Sequence, residues 1–292
     1  GHAGAGILGQ QINPCQHLFQ KGISVGACQL VCALRHDELR RKVGAHAGGI
    51  DHTAARCHNL VKSIVDIDGA QRIAAQDARV TIFQNKTNLG LGASLNECLA
   101  RAQGAYIARQ DADDVSDSDR IERTMDFLLS SGAPYAACGV RVFDDTGVWS
   151  TRQFPQKITK HIIAQKNPFF HPTMLFRRAV LESVNGYSAS PETRRTEDYD
   201  LVMRLAANGV IGENLQEILY SVYEPQEAYL RHNARTRMYE VRVRARGLRA
   251  MGSPASDYIY LVKPLIMACV PRGMMRSVKR LQWKLQSRDT KK

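Results

Sequence analysis

The stretch "YIARQDADDVSDSDR" (Tyr106–Arg120) passes from an alternating apolar run directly into carboxylates, with Asp111, Asp113, Asp114, Asp117 and Asp119 falling within nine residues. Like charges so close raise one another's pKa, so a cluster of this kind calls for a positive partner. Asp111 and Asp113 flank one small residue at the end of a short predicted strand. Two carboxylates two apart can face one hard divalent cation, Mg²⁺ or Mn²⁺, which keeps some of its waters and also takes phosphate oxygens. An Asp-rich turn capping the next helix is the competing reading. An EF-hand loop is excluded, since Val115 and Ser116 stand where a ligand and the required glycine belong.

Working outward, strands and helices alternate. "RVTIFQ" (79–84) has the period of a strand, and "GASLNECLARAQG" places Leu95, Cys98, Leu99 and Ala102 at helical spacing before Gly104. After the aspartates, "SDRIERTMDFLLSSG" reads as a helix with Ser118 as its N-cap and Gly132 as its stop. "AACGVRVFDDTGVWSTRQF" reads as two strands joined by a turn at 144–147, "HPTMLF" as a strand, "RRAVLESVNGY" as a helix ending at Gly186, and "EDYDLVMRLAANG" as a helix. This alternation predicts an α/β sheet, with ligands at the carboxyl ends of strands, where Asp111 and Asp113 lie. In the last helix, acids in the first turn suit the helix dipole whether or not they do chemistry. Asp200 reads as a surface or cap residue and Tyr187 as a packing residue.

The whole of 292 residues carries a net charge of +12, but 16 Lys and Arg against 4 Asp and Glu lie in residues 225–292, and the earlier 24 basic and 24 acidic groups cancel. The seven cysteines show no CxxC pair, so neither a disulfide framework nor a zinc ribbon is indicated. Residues 1–78 hold no sustained period of 2 or 3.6 and receive no fold assignment. Their His- and Cys-rich character matches no metal-site spacing. The chain opens on Gly1 without a secretory signal pattern, which reads as a fragment or processed product in a reducing, cytoplasmic setting. "YIYLVKPLIMACVP" is too short and interrupted to span a bilayer. The basic segment 225–292, with Trp283 among its arginines and lysines, suits a helix on an anionic membrane surface or a partner contact. No nucleic-acid recognition motif accompanies the charge.

Four pieces in order, "NLGLGASLN", "GAYIARQDADD", "NPFFHPTMLFRR" and "GYSASPETRRTEDYDLVMRLAANG", resemble the family 2 glycosyltransferases, inverting enzymes of the GT-A fold that use nucleotide-sugar donors. The resemblance runs over about residues 79–223. It implies a catalytic domain over 79–224, incomplete at its N-terminal side, followed by a basic helical tail over 225–292. It also implies a divalent cation at Asp113 with Asp111 beside it, Asn88 and Arg109 near the nucleotide and diphosphate, Asp198 as catalytic base and Glu197 next to it. His171 is read either as a metal or diphosphate contact or as a structural histidine, and Asp114 as a further member of the cluster. The expected partners are a UDP-sugar donor and a glycan or lipid-linked acceptor in cell-surface polysaccharide synthesis. The family's opening strand with a "PVYN"-like turn and its "DDGS"-like motif are not found, and Asp68 in "IVDIDGA" is the nearest counterpart of the second. A disrupted reading frame ahead of residue 75 is one expectation that accounts for this. Two alternatives remain: a non-catalytic homologue that binds nucleotide or glycan, and a metal-dependent nucleotidyltransferase.

Overall fold

In the computed structural model, residues 29–34, 58–63, 75–76, 80–83, 85, 87–111, 113–224 and 234–269 are described. Nine strands form one mixed sheet: β1 (Gln29–Leu34), β2 (His58–Ser63), β3 (Val80–Phe83), β4 (Tyr106–Asp111), β5 (Val115–Ser116), β6 (Tyr135–Asp144), β7 (Gly147–Arg152), β8 (Leu175–Arg177) and β9 (Glu213–Tyr223). Their order is β3-β2-β1-β4-β8-β6-β9-β5, with β7 paired to β6. The β2–β3 and β6–β9 pairs are parallel, while β1–β4, β4–β8 and β6–β8 are antiparallel. Seven helices accompany them among the described residues: α1 (Leu91–Arg101), α2 (Arg120–Ser131), α3 (Lys160–Gln165), α4 (Arg178–Glu182), α5 (Glu197–Ala207), α6 (Ala234–Ala250) and α7 (Val262–Cys269).

The alternation read in β4 sorts its side chains onto two faces. Ile107 joins a core with Leu95 and Cys98 of α1, Leu201, Met203 and Leu205 of α5, and Leu248 of α6. Tyr106 and Ala108 join Met125 and Leu128 of α2 on the opposite face. Both faces of the sheet are thus covered by helices. Tyr135, at the start of β6, centres the first core, with its ring 5.1 Å from Phe169 and 5.2 Å from Phe176. The β6–β7 hairpin turns where expected, the Thr146 N–H donating to Asp144 Oδ1 at 2.9 Å.

Several expectations are corrected. Helix α2 starts at Arg120 with Asp119, not Ser118, at its N-cap and no side-chain cap bond; its end at Gly132 (φ 71°) is as expected. "HPTMLF" is a 3₁₀ turn over His171–Thr173 before β8 begins, since Pro172 has no N–H to give a ladder. The helix of "RRAVLESVNGY" stops at Glu182. The strand β9 went unread, its alternation in "ENLQEILYSVY" being broken by adjacent apolar residues. Strands β1 and β2 lie in the segment that receives no fold assignment, because "QLVCAL" is a continuous apolar run and "HNLVKS" does not alternate. In the sheet β1 lies between β2 and β4, and it runs antiparallel to β4, with Gln29 opposite Asp111 and Leu34 opposite Tyr106. Asp68, Trp283 and the reading-frame expectation fall outside the described residues.

Helix α6 is docked: Val243 and Leu248 are buried, and so is the Arg244 side chain, which donates to the carbonyls of Ala164 and Gln165.

Candidate active site

Strand β4 delivers Arg109 and Asp111 to the end of the sheet. Arg109 is buried, and its guanidinium Nη2 lies 2.6 Å from Asp111 Oδ1. Behind them Arg120, the first residue of α2, is buried and donates to the Arg109 carbonyl (3.2 Å), Gln110 Oε1 (3.2 Å) and Ser116 Oγ (2.6 Å). Its guanidinium also lies over the Tyr220 ring. One cation therefore fastens the strand end, the following loop and β9. The loop is pinned again by β9: the Asp111 N–H donates to the Tyr220 hydroxyl (3.1 Å), and the Tyr223 N–H donates to Asp114 Oδ1 (2.8 Å). Asp113 projects into solvent at the apex.

Oxygen atoms of Asp111, Asp113 and Asp114 all lie within 4.8 Å of one another. Burial pushes Asp114 up to about 8, with Asp111 and then Asp113 adding. Burial also raises Asp111, against the pull of Arg109. These are hard oxygen donors, and the one cation paired with them among the described residues is Arg109, at Asp111 Oδ1. The donor set fits a divalent cation of the Mg²⁺ or Mn²⁺ kind. Asp114 is already engaged by β9, which leaves Asp111 and Asp113 as the principal ligands and Asp114 as their support.

A second acidic group comes from the first turn of α5. Asp198 Oδ2 accepts from Asn167 Nδ2 at 2.9 Å. Glu197 is buried, its Oε2 without a hydrogen-bond partner, and burial followed by the Asp198 charge pushes it up to about 7. Burial also raises Asp198, against backbone N–H donation and the charge of Arg109. The preceding loop is held by α1. Asn96 accepts from the Tyr187 N–H and donates to the Tyr187 carbonyl, both at 2.8 Å. Gly186 makes this clip fit, since it has φ 65° and a Cβ there would fall 2.5 Å from Asn96 Oδ1. Gly92 in α1 likewise lies so close to the Ser188 carbonyl that a Cβ would sit 2.7 Å away. Tyr187, so placed, turns its hydroxyl to His171 Nε2 at 2.9 Å. Burial and then Arg109 hold His171 well below the usual imidazole range, so it stays neutral. It is buried and bonded to Tyr187.

The two acidic groups share one cation. Burial opposes the charge on Arg109, but Asp111 first, then Tyr187, Tyr220 and Asp198, outweigh it and leave the guanidinium above its ordinary pKa. Asp111 is in turn raised by Asp198 as well as by Asp113. Asp111 and Asp198 therefore lie within electrostatic reach of each other and of Arg109. Asn88 is exposed ahead of α1 and accepts the Gly90 N–H at 3.1 Å, at the rim and not in the cluster. Asp200 is not a surface residue: it is buried, paired to Arg204 at 2.7 Å and to Arg246 of α6 at 3.0 Å. Arg120, Asn96, Asn167 and Tyr220 were not singled out from sequence. Their long-range partners lie 10 to 109 residues away, beyond any local pattern.

The sequence profile described as "Glycosyl transferase family 2" matches residues 66–184. The "Putative glycosyltransferase EpsE" of Bacillus subtilis (strain 168) is 40% identical over 214 residues, 71% of this chain and 77% of that protein. The chain belongs to glycosyl transferase family 2. The Escherichia coli "UDP-Gal:alpha-D-GlcNAc-diphosphoundecaprenol beta-1,3-galactosyltransferase" is 27% identical over 183 residues, 61% of this chain and 65% of that one. Among solved structures, S. aureus TarS aligns with a TM-score of 0.49 at 17% identity, over 67% of this chain and 34% of that one. The mannosyltransferase PcManGT from Pyrobaculum calidifontis, in complex with GDP-Man and Mn²⁺, gives 0.47 at 15%, over 74% and 66%. The family 2 membership makes this chain a glycosyltransferase and sets nucleotidyl transfer aside. Arg109, the aspartates of 111–114 and His171 fall inside the matched segment, while Glu197 and Asp198 follow it.

Proposed function

We propose that this family 2 enzyme moves a sugar from a nucleotide-sugar, a UDP-sugar in the first instance, to a glycan or lipid-linked hydroxyl with inversion, in assembly of a cell-surface polysaccharide. The observation that carries the reading is the buried Arg109, paired to Asp111 and within electrostatic reach of Asp198. Inversion needs the leaving diphosphate and the proton acceptor on opposite sides of the sugar carbon, and the two acids come from different elements, β4 and α5. Asp111 and Asp113 would hold a divalent cation, whose Lewis acidity supplies neutralisation of charge developing on the diphosphate. Arg109 adds a fixed positive charge that its burial keeps unscreened. Asp198 takes the acceptor proton; Asn167 holds one of its oxygens and so aims the other. Glu197, held partly protonated by burial and its neighbour, is suited to donate a hydrogen bond to a sugar hydroxyl. The names of the E. coli relative and of the mannosyltransferase support a nucleotide-sugar donor and a lipid-linked acceptor.

The test is a panel of nucleotide-sugars assayed for nucleoside diphosphate release with and without Mn²⁺, on the parent chain and on Asp113→Ala. Metal-independent release, or release unaffected by Asp113→Ala, refutes the metal assignment. A second reading, a nucleotide- or glycan-binding homologue without turnover, is favoured by the start of the family match at residue 66, so that residues 1–65 lie outside it. Donor binding by calorimetry without release from any donor would select it.

A further inference from the structure

The stretch from Tyr258 to Ile266 reverses the usual order of an amphipathic segment. It comprises the end of a 3₁₀ helix (Ala255–Leu261) and the start of α7. Tyr258, Ile259, Val262, Leu265 and Ile266 follow helical spacing and stand 37% to 63% exposed. They are five of the ten exposed large hydrophobic side chains among the described residues, gathered in nine positions, so this is a patch and not scattered surface. Two polar groups beside them turn to the protein instead. Asp257 is buried against His161 Nδ1 at 2.7 Å, and the Tyr260 hydroxyl accepts from Gln165 Nε2 at 3.1 Å. No described helix is long and apolar enough to cross a membrane.

Charge says what covers it. Lys263 lies exposed within the patch, and it is near enough to Lys166 to help burial lower that ammonium's pKa. The sequence that follows, 270–292, adds eight Lys and Arg against one Asp. Apolar side chains beside a dense positive charge match the headgroup region of an anionic bilayer. A second copy of the chain would bring the same positive charge against itself.

We propose that the outward face of Tyr258–Ile266 docks on an anionic lipid surface, inserting shallowly among the headgroups, so that the acceptor hydroxyl reaches Asp198 from the membrane side. The geometry of α3 joins the two: Gln165, its last residue, holds Tyr260, and Asn167, two residues on, holds Asp198. The direction of acceptor approach rests on Asp198 being the base, whereas the docking itself does not.

Co-sedimentation of the full chain with phosphatidylglycerol–phosphatidylcholine vesicles, against phosphatidylcholine alone, tests this with no donor or acceptor present, so a failed transferase reading leaves the result intact. The parent chain is expected to pellet with the anionic vesicles only. The double variant Ile259→Glu, Ile266→Glu is expected to lose about tenfold or more in binding while its thermal midpoint stays unchanged. Asp198→Asn is expected to bind like the parent. Four results overturn the proposal: no parent binding at low salt; equal binding by the double variant; a lowered midpoint in that variant, which means the face is covered by the chain itself; or conversion of a parent dimer to monomer in light scattering, which means a second copy covers it.

Discussion

Replacing Asp198 by Asn separates chemistry from architecture. The amide is isosteric with the carboxylate, and its oxygen can still accept from Asn167 Nδ2, which lies 2.9 Å from Asp198 Oδ2. What disappears is the proton acceptor and one negative charge. Loss of general-base catalysis costs a factor of roughly 10²–10⁴, or about 3–5 kcal/mol in barrier, so kcat is expected to fall by that amount with donor KM little changed. Stability moves the other way. The Asp198 charge is the second cause, after burial, that lifts Glu197 to about 7. Each unit by which Glu197 relaxes returns about 1.4 kcal/mol at a pH where it is ionised. Asp198→Asn should therefore melt higher than the parent at pH 8. Nucleoside diphosphate release under saturating donor, with thermal melts of both proteins, reads both effects. A kcat within threefold of the parent, or a variant that melts lower, refutes the reasoning.

Glu197→Gln is expected to change the pH dependence of stability. The folded-state pKa of about 7 stands above the ordinary 4.5, so between these values the native state binds more protons and stability falls as pH rises. The variant loses that decline, up to about 3 kcal/mol, in urea melts compared at pH 5 and pH 8. Asp113→Ala, at the exposed apex of the loop, should abolish the Mn²⁺ dependence of release with the melt unchanged, since no part of the fold leans on that side chain. Gly186→Ala places a methyl 2.5 Å from Asn96 Oδ1 at φ 65°, and should cost about 2–3 kcal/mol by chemical denaturation and raise acceptor KM through the displaced Tyr187.

The legible part of the molecule was the part whose logic is local. Alternation exposed β4, β6 and β7, helical spacing exposed α1, α2 and α5, and two crowded acidic stretches marked both acidic groups of the site. The illegible part is made of single contacts between distant segments. Nothing near Arg120 says that its guanidinium will reach back to the Arg109 carbonyl, and nothing near Asn96 says that it will grip Tyr187. Asp200 looked like a solvated helix-start acid because its second arginine, Arg246, comes 46 residues later. His171 leaves two readings open in the sequence, and its bond to Tyr187, 16 residues on, is not visible there. Strands β1 and β2 are hidden because neither "QLVCAL" nor "HNLVKS" alternates.

The docking of α6 bears on anyone wishing to trim this protein to a minimal working unit. A cut just past β9 looks natural, because the sheet is finished there. Yet Gly247 packs so tightly on Met203 that a methyl would fall 2.2 Å from its sulfur, Met203 is otherwise enclosed, and Arg246 joins Glu192 and Asp200, which flank Glu197 and Asp198 on either side. Removing the helix would unroof the rear of α5 and loosen the acids at its front. The shortest piece worth expressing runs beyond Met251, and its arginines should be counted as scaffolding before they are spent on any outside partner.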